Sequence, residues 1–284
     1  MDGWIETCRS IVSPWECDTT EHFTIAYYFD RLSDASAALA GSLGWHDAPR
    51  IPRRFDVRFV RELRAGASFH ILSAPLALDA NFVRLGHQIA DSADSEVTAW
   101  AEETVDIRAT PLPGEMSDAI RRRLMAWPGP AVEHRPELTT PLGFIVTVRD
   151  RVKSPDLDAD GAFAPAAFVH RFTAACIQAL AAIGATANYM HRERRGYSTF
   201  ELALSVSRLP RLGSPVQVET GIAHLGNSSI RFLHRMLDPA NGGEFARLSQ
   251  FGVQLDLDAR RPAALPEPLR AAASRFVIRS HEGS

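Results

Sequence analysis

Asp18 and His22 stand four residues apart in the stretch Val12-Ser-Pro-Trp-Glu-Cys-Asp-Thr-Thr-Glu-His-Phe-Thr24, immediately ahead of an apolar run. A carboxylate with an ordinary pKa of ~3.9 is ionised at neutral pH, so Asp18 can draw a proton from an attacking water or attack an electrophilic carbon itself. Aspartate is also a common turn former and helix cap. Asp18 lies about six residues before the predicted helix start, too far for a simple cap. His22 can orient Asp18, position a water, or pack at the turn with one nitrogen on the backbone. Cys17 is a conceivable nucleophile, but no base for it is identifiable, and a half-buried structural thiol is the simpler reading. Nucleophile-elbow, phosphate-loop and His-Glu-x-x-His or Cys-x-x-Cys metal patterns are absent.

The elements that must hold these residues are a short strand ending near Val12, a turn carrying Asp18 and His22, and a helix from about Thr24 to Gly44. Ile25, Ala26, Tyr28, Phe29, Leu32, Ala35, Leu39 and Leu43 make that helix apolar over most of its circumference, so other structure must wrap it. Alternation then predicts strands at 55–59, around Phe69 to Leu78, at 82–89 and at 97–107. A surface helix follows at 116–125. The plan recurs, with a strand at 144–152, a turn at Asp158, a helix at 165–184 and strands at 198–209, 215–224, 229–237 and 245–257.

The recurrence is an internal repeat. Asp158, Gly161, Phe163, Ala166, Phe168, Arg171 and Gly184 stand in register with Asp18, Glu21, Phe23, Ala26, Tyr28, Arg31 and Gly44. Further on, Gly66 matches Gly213, Arg84-Leu-Gly-His87 matches Arg231-Phe-Leu-His234, and Glu96 matches Glu244. Strand, long apolar helix and four strands describe an antiparallel sheet curled around one helix. The expected division is residues 1–128, a linker at 129–141, and residues 142–284. Two such α+β units can pair sheet edges and form an intrachain pseudo-dimer.

Composition excludes several classes. The 284 residues are 45% hydrophobic and 23% charged, as in an ordinary globular chain. A net charge of −3 supplies no basic field for nucleic acid or an anionic membrane. The three cysteines are too few for a disulfide framework or a zinc cluster, and suit a reducing compartment. The N-terminus does not read as a signal peptide, and the longest apolar run is broken by Gln178 and Gly184, so a cytoplasmic protein is expected.

The pattern Trp15-Glu-Cys-Asp18-x-x-x-His22-Phe-x-x-x-x-Tyr28, followed by an Ala-rich helix ending in Leu-Gly, resembles the acyl-CoA thioesterases of the hotdog fold, in particular the 4-hydroxybenzoyl-CoA thioesterase-like group. The second half resembles the same family more weakly, so the resemblance implies a double-hotdog arrangement. It implies hydrolysis of an acyl-CoA to a carboxylic acid and CoA, with no metal or organic cofactor. Asp18 would be the base or nucleophile. The backbone N–H of Ile25, in the first turn of the helix, would polarise the acyl carbonyl. Thr24, Tyr28 and Ser33 fall at acyl-binding positions, although a tyrosine at such a place is more often core than ligand, and Asn227, Ser228 and Ser229 are candidates for a pocket wall, although a polar turn explains those three equally well.

Departures from the pattern matter. Glu21 replaces the usual Gly, Thr24 a frequent Asn, and Ser33 the acid that aromatic-substrate enzymes present, so a 4-hydroxybenzoyl substrate is disfavoured. In the second half Ala162 replaces the His and Pro165 stands at the place of Ile25; a proline has no N–H to offer, so that site is expected to be inactive. Arg53, Arg54, Arg194 and Arg195 could hold CoA phosphates, but a solvated charge run is the simpler reading; Arg121, Arg122 and Arg123 read as an exposed face. Two other functions remain open, a hotdog enoyl-CoA hydratase or dehydratase and a non-catalytic acyl-CoA-binding protein. Further association of double-hotdog chains is possible in either case.

Overall fold

Apolar side chains spaced three and four apart form α1 (Ile25–Ser42), whose buried face carries Ala26, Tyr28, Phe29, Leu32, Ala35, Ser36, Leu39 and Ala40. The helix ends at Gly44, whose φ of 80° lets Trp45 N–H return to the Ala40 carbonyl at 2.9 Å. In the computed structural model, residues 3–18, 20–45, 51–131 and 143–278 are described. They fall into two units, Met1–Val132 and Glu133–Ser284. Of the linker expected at 129–141, the part from 132 onward lies outside the described residues.

In the first unit β1 (Ile5–Ile11), β2 (Ile51–Phe59), β3 (Ser68–Leu78), β4 (Phe82–Asp91) and β5 (Val97–Asp106) pair antiparallel in the order β1-β3-β4-β5-β2. Alternation sends Phe69, Ile71 and Ser73, then Val83, Leu85, His87 and Ile89, then Ala99, Ala101, Glu103 and Val105, to the buried face. Phe29 of α1 meets Phe55 of β2 edge-on at 5.3 Å. Truncating a fully buried core residue such as Leu32 to Ala would cost about 2–5 kcal/mol. A short helix, α2 (Gly114–Arg121), follows the sheet.

The second unit repeats this with β6 (Ile145–Arg151), α3 (Pro165–Ala182), β7 (Arg195–Val206), β8 (Pro215–Leu225), β9 (Ser229–Leu237) and β10 (Glu244–Asp256), in the order β6-β8-β9-β10-β7. It adds α4 (Ala187–Arg192), the two-residue β11 (Arg261–Pro262) and α5 (Glu267–Ser274). Each unit is thus an antiparallel sheet with one long buried helix, as the α+β hotdog reading requires.

Several boundaries differ from expectation, β2 for one beginning at Ile51 rather than 55. α2 stops at Arg121 rather than 125, because Met125 N–H is taken by the Pro75 carbonyl of β3 at 2.9 Å. β7 spans 195–206 rather than 198–209, since Arg195 to Gly196 complete the ladder opposite Asp256 and Leu255.

Candidate active site

The loop before α1 is built by Asp18. Its Oδ1 accepts hydrogen bonds from Thr20 N (2.8 Å), Thr20 Oγ1 (2.6 Å) and His22 N (3.1 Å). The Asp18 N–H donates to the His22 carbonyl at 2.9 Å, and Glu21 N–H donates to the Asp18 carbonyl at 3.0 Å. The turn-forming role of this residue is therefore present. It leaves Oδ2, on an exposed side chain, as the oxygen available to a reactant. The tight turn puts Glu21 at φ 63°, where the second unit has Gly161 at φ 77°. A glutamate is strained there by roughly 1 kcal/mol, which is why a glycine is the ordinary choice.

The loop is fastened to the helix by a second carboxylate. Glu16, buried at the end of a 3-10 turn, accepts from Ser13 N at 2.9 Å and from Arg31 Nη2 at 2.6 Å, and its carbonyl accepts Thr24 N–H at 2.9 Å. The second unit uses Asp156 and Arg171 in the same way, at 2.7 and 3.0 Å. Asp158 Oδ1 likewise accepts from Asp160 N at 3.0 Å and Ala162 N at 2.9 Å. The scaffold of the loop is thus duplicated in both units.

What is not duplicated is the cluster around His22. Its Nδ1 lies 3.1 Å from Thr20 Oγ1, and its Nε2 lies 3.0 Å from Glu62 Oε2 and 3.1 Å from Arg64 Nη2. The loop is pinned to this neighbouring segment by Phe23 N–H to the Leu63 carbonyl at 2.9 Å and Ala65 N–H to the Glu21 carbonyl at 3.3 Å. At the corresponding positions the second unit has Asp160, Ala162 and Leu209 instead of Thr20, His22 and Glu62. Thr20 and Glu62 were not singled out from the sequence. Glu62 sits 40 positions from His22 inside a charge run, and only its replacement by Leu209 in the repeat offers a signal.

The remaining candidates scatter. Thr24 is the N-cap of α1 but makes no side-chain cap hydrogen bond to the amides of the first helical turn. Pro165 occupies the place of Ile25 in α3. Tyr28 is buried against Phe23 at 4.5 Å and Phe59 at 5.1 Å; burial drives its phenol well above the usual range, and its hydroxyl bonds the backbone of Leu63, so it is part of the core. Ser33 Oγ donates to the Phe29 carbonyl at 2.9 Å. Asn227, Ser228 and Ser229 form the turn between β8 and β9, where the Asn227 and Ser228 carbonyls accept Leu265 and Gln254 N–H, each at 2.8 Å. Their backbone thus fastens the C-terminal segment of the second unit.

Arg53 and Arg54 pair with Asp106 and Asp56, and Arg194 and Arg195 with Asp258 and Asp256. Arg121 pairs with Asp118. Burial, then the neighbouring Asp18 and Glu16 carboxylates, raise the Cys17 thiol, which fits a structural sulfur. Among the described residues no group of three or more His, Cys, Asp or Glu could hold a metal ion, and no helix is long and apolar enough to cross a membrane.

Residues 152–273 match the profile of the thioesterase-like superfamily. No curated protein matches the chain in sequence. Solved structures similar along nearly the whole chain include an oleoyl thioesterase from Lactobacillus plantarum, with 14% identity, TM-score 0.68, and 92% of this chain and 96% of that one covered. An acyl-ACP thioesterase from Bacteroides thetaiotaomicron has 11% identity and TM-score 0.68, covering 88% and 98%. The 12:0-ACP thioesterase from Umbellularia californica has 13% identity and TM-score 0.65, covering 92% and 95%. At these identities the structural likeness carries the fold, and the profile match carries the link to thioester chemistry. The chain has the hotdog fold in two tandem units, its second unit matches the thioesterase-like superfamily profile, and thioester hydrolysis is the enzyme class these similarities support.

Proposed function

We propose that the chain is an acyl-CoA thioesterase whose working site belongs to the first unit. The observation that carries this reading is internal: both units build the same aspartate turn, yet only the first adds Thr20, His22 and Glu62 and leaves an N–H, that of Ile25, at the helix tip. Asp158 shows that the turn needs none of these additions. Their presence beside Asp18 is then explained by chemistry rather than by folding.

In this mechanism the thioester carbonyl oxygen accepts the Ile25 N–H, which stabilises the negative charge that develops as the carbonyl carbon becomes tetrahedral. Asp18 Oδ2 takes a proton from water as the water oxygen bonds to that carbon, or attacks the carbon itself to form a mixed anhydride that water then opens. The C–S bond breaks, and the leaving sulfur ends as a thiol with the proton that Asp18 took from water or, in the anhydride route, with one from solvent water. Thr20 joins the Asp18 carboxylate to His22, whose other nitrogen meets the Arg64 guanidinium beside Glu62, so this row orients the Asp18 carboxylate. Thr24 and Ser33 are proposed to contact the acyl group. The three free cysteines suit a cytoplasmic setting.

A second carrier has specific support: two of the structural relatives act on acyl groups carried by acyl carrier protein. Thiol release measured with matched acyl-CoA and acyl-carrier-protein substrates of several chain lengths tests both. Turnover on CoA esters at least equal to that on the carrier-protein esters supports the acyl-CoA reading. A strong preference for the carrier protein replaces it with the second, and binding of either without thiol release removes the enzyme reading.

A further inference from the structure

A polar row lies in the buried interior of the first unit, outside the site described above. Thr7 Oγ1 donates to the Ile71 carbonyl (3.3 Å) and lies 2.7 Å from Ser73 Oγ, which lies 2.8 Å from His87 Nδ1. His87 Nε2 is 3.5 Å from Glu103 Oε2, and neither atom has a hydrogen-bond partner. Ser73 and His87 are fully buried and Glu103 is 2% exposed.

The order of acceptors assigns the protons. The Thr7 hydroxyl hydrogen is spent on a carbonyl, so Thr7 oxygen accepts from Ser73, and Ser73 oxygen accepts from His87 Nδ1–H. With one proton fixed on Nδ1, a neutral His87 would aim its Nε2 lone pair at the Glu103 carboxylate. Two bare acceptors facing each other in a buried site are strongly unfavourable. One additional proton resolves the conflict, whether it resides on Nε2 or on Glu103.

The second unit has the same row with this conflict removed. Thr147, Thr220 and His234 repeat the chain at 2.9 and 2.8 Å, but Gln250 stands in place of Glu103. His234 Nε2 and Gln250 Oε1 both lack partners, while Gln250 Nε2 meets Thr199 Oγ1 at 2.8 Å. Exchanging the two nearly isosteric ends of that amide lets its nitrogen donate to His234 and its oxygen accept from Thr199. Gln250 then plays the part of a permanently protonated Glu103.

We propose that His87 and Glu103 form a buried proton-binding site that holds one proton between them at neutral pH, so that unfolding the first unit releases it. Buried carboxylates elsewhere on these strands are engaged by arginines, Asp91 of β4 by Arg61 and Asp106 of β5 by Arg53 and Arg108. On β5 Glu102 pairs with Arg84 of β4, on β2 Asp56 pairs with Arg54, on α1 Arg31 pairs with Glu16, and β1 and β3 supply Thr7 and Ser73 to the row that ends on the imidazole. This site does not depend on the thioesterase reading.

The test compares the pH dependence of unfolding for the full chain and for Glu103→Gln. In an unfolded chain glutamate and histidine carry no proton above about pH 7, so the folded state binds one more proton than the unfolded state and its stability falls as pH rises. The unfolding equilibrium constant of the wild type is expected to rise about tenfold per pH unit between pH 7 and 8 relative to the variant. Gln250→Glu should install a second dependence of the same sign. Parallel pH curves for wild type and Glu103→Gln overturn the proposal. Should that variant not fold, 15N spectra of His87 in the wild-type chain decide: protonated Nδ1 with Nε2 carrying or receiving a proton at pH 7 supports the site, and a bare Nε2 beside an ionised Glu103 overturns it.

Discussion

The backbone donor proposed at Ile25 is testable by substitution because the protein already contains the variant in its other half. Pro165 begins α3 behind Ala164 at φ −69°, ψ 146°, and Ile25 begins α1 behind Thr24 at φ −66°, ψ 135°. Proline is tolerated at the first helical position, and the residue before it must be extended, as Thr24 is. Ile25→Pro should therefore fold. Tyr27 N–H still reaches the Thr24 carbonyl at 3.0 Å, and the half-buried Ile25 side chain forfeits about 1 kcal/mol of burial. What disappears is the N–H itself. Loss of one such donor lowers kcat by on the order of 10²–10³, or about 2.7–4 kcal/mol of transition-state stabilisation. Thiol release in steady state measures the loss, Ile25→Val serves as the variant that keeps the amide, and a thermal melt checks the fold. Ile25→Pro that melts within a few degrees of wild type and turns over at its rate would refute the placement of the oxyanion at this helix tip.

Other outcomes follow from the same geometry. Glu16→Ala strands the Arg31 guanidinium and frees the Ser13 N–H, at an expected cost of about 2–3 kcal/mol and a clearly lower Tm; Asp156→Ala in the second unit should show a loss of similar size. Burial pushes His234 down to about 3, whereas an unfolded histidine titrates near 6.5. The unfolded state then binds more protons between those values, so the contribution of His234 is fully present above about pH 6.5 and is lost as pH falls below it, by about 1.4 kcal/mol per pH unit. Denaturant midpoints measured from pH 7 to 5, compared with those of His234→Asn, should show that loss in the wild type alone.

Much of this was readable in the sequence because it depends on local periodicity. The apolar run from Ile25 to Leu43 is long enough for its spacing to identify a helix, and the 140-residue offset between Asp18 and Asp158 exposes the repeat. One strand-helix-four-strand plan used twice was equally legible, whereas the order in which those strands pair was not. α4, α5 and β11 were missed because six, eight and two residues are too few for periodicity to stand out. The neighbours of His22 were hidden for another reason. Glu62 approaches it only because the loop after β2 pairs with residues 21–23, a contact over 40 positions. Arg84-Leu-Gly-His87 and Arg231-Phe-Leu-His234 were visible as a repeat, but the burial of both histidines, and the Glu103 to Gln250 exchange beside them, become meaningful only once the strands are in register.

Asp18→Asn paired with Asp158→Asn, both read by thiol release and thermal melting, tests the proposed chemistry most directly. In each variant an amide oxygen can accept the backbone N–H groups that Oδ1 now accepts, so both turns and both melting temperatures should stay close to wild type. Turnover should fall by about 10²–10⁴ for Asp18→Asn and remain near wild type for Asp158→Asn. Near-native turnover in Asp18→Asn, or an equal loss in both variants, would contradict a catalytic carboxylate in the first unit.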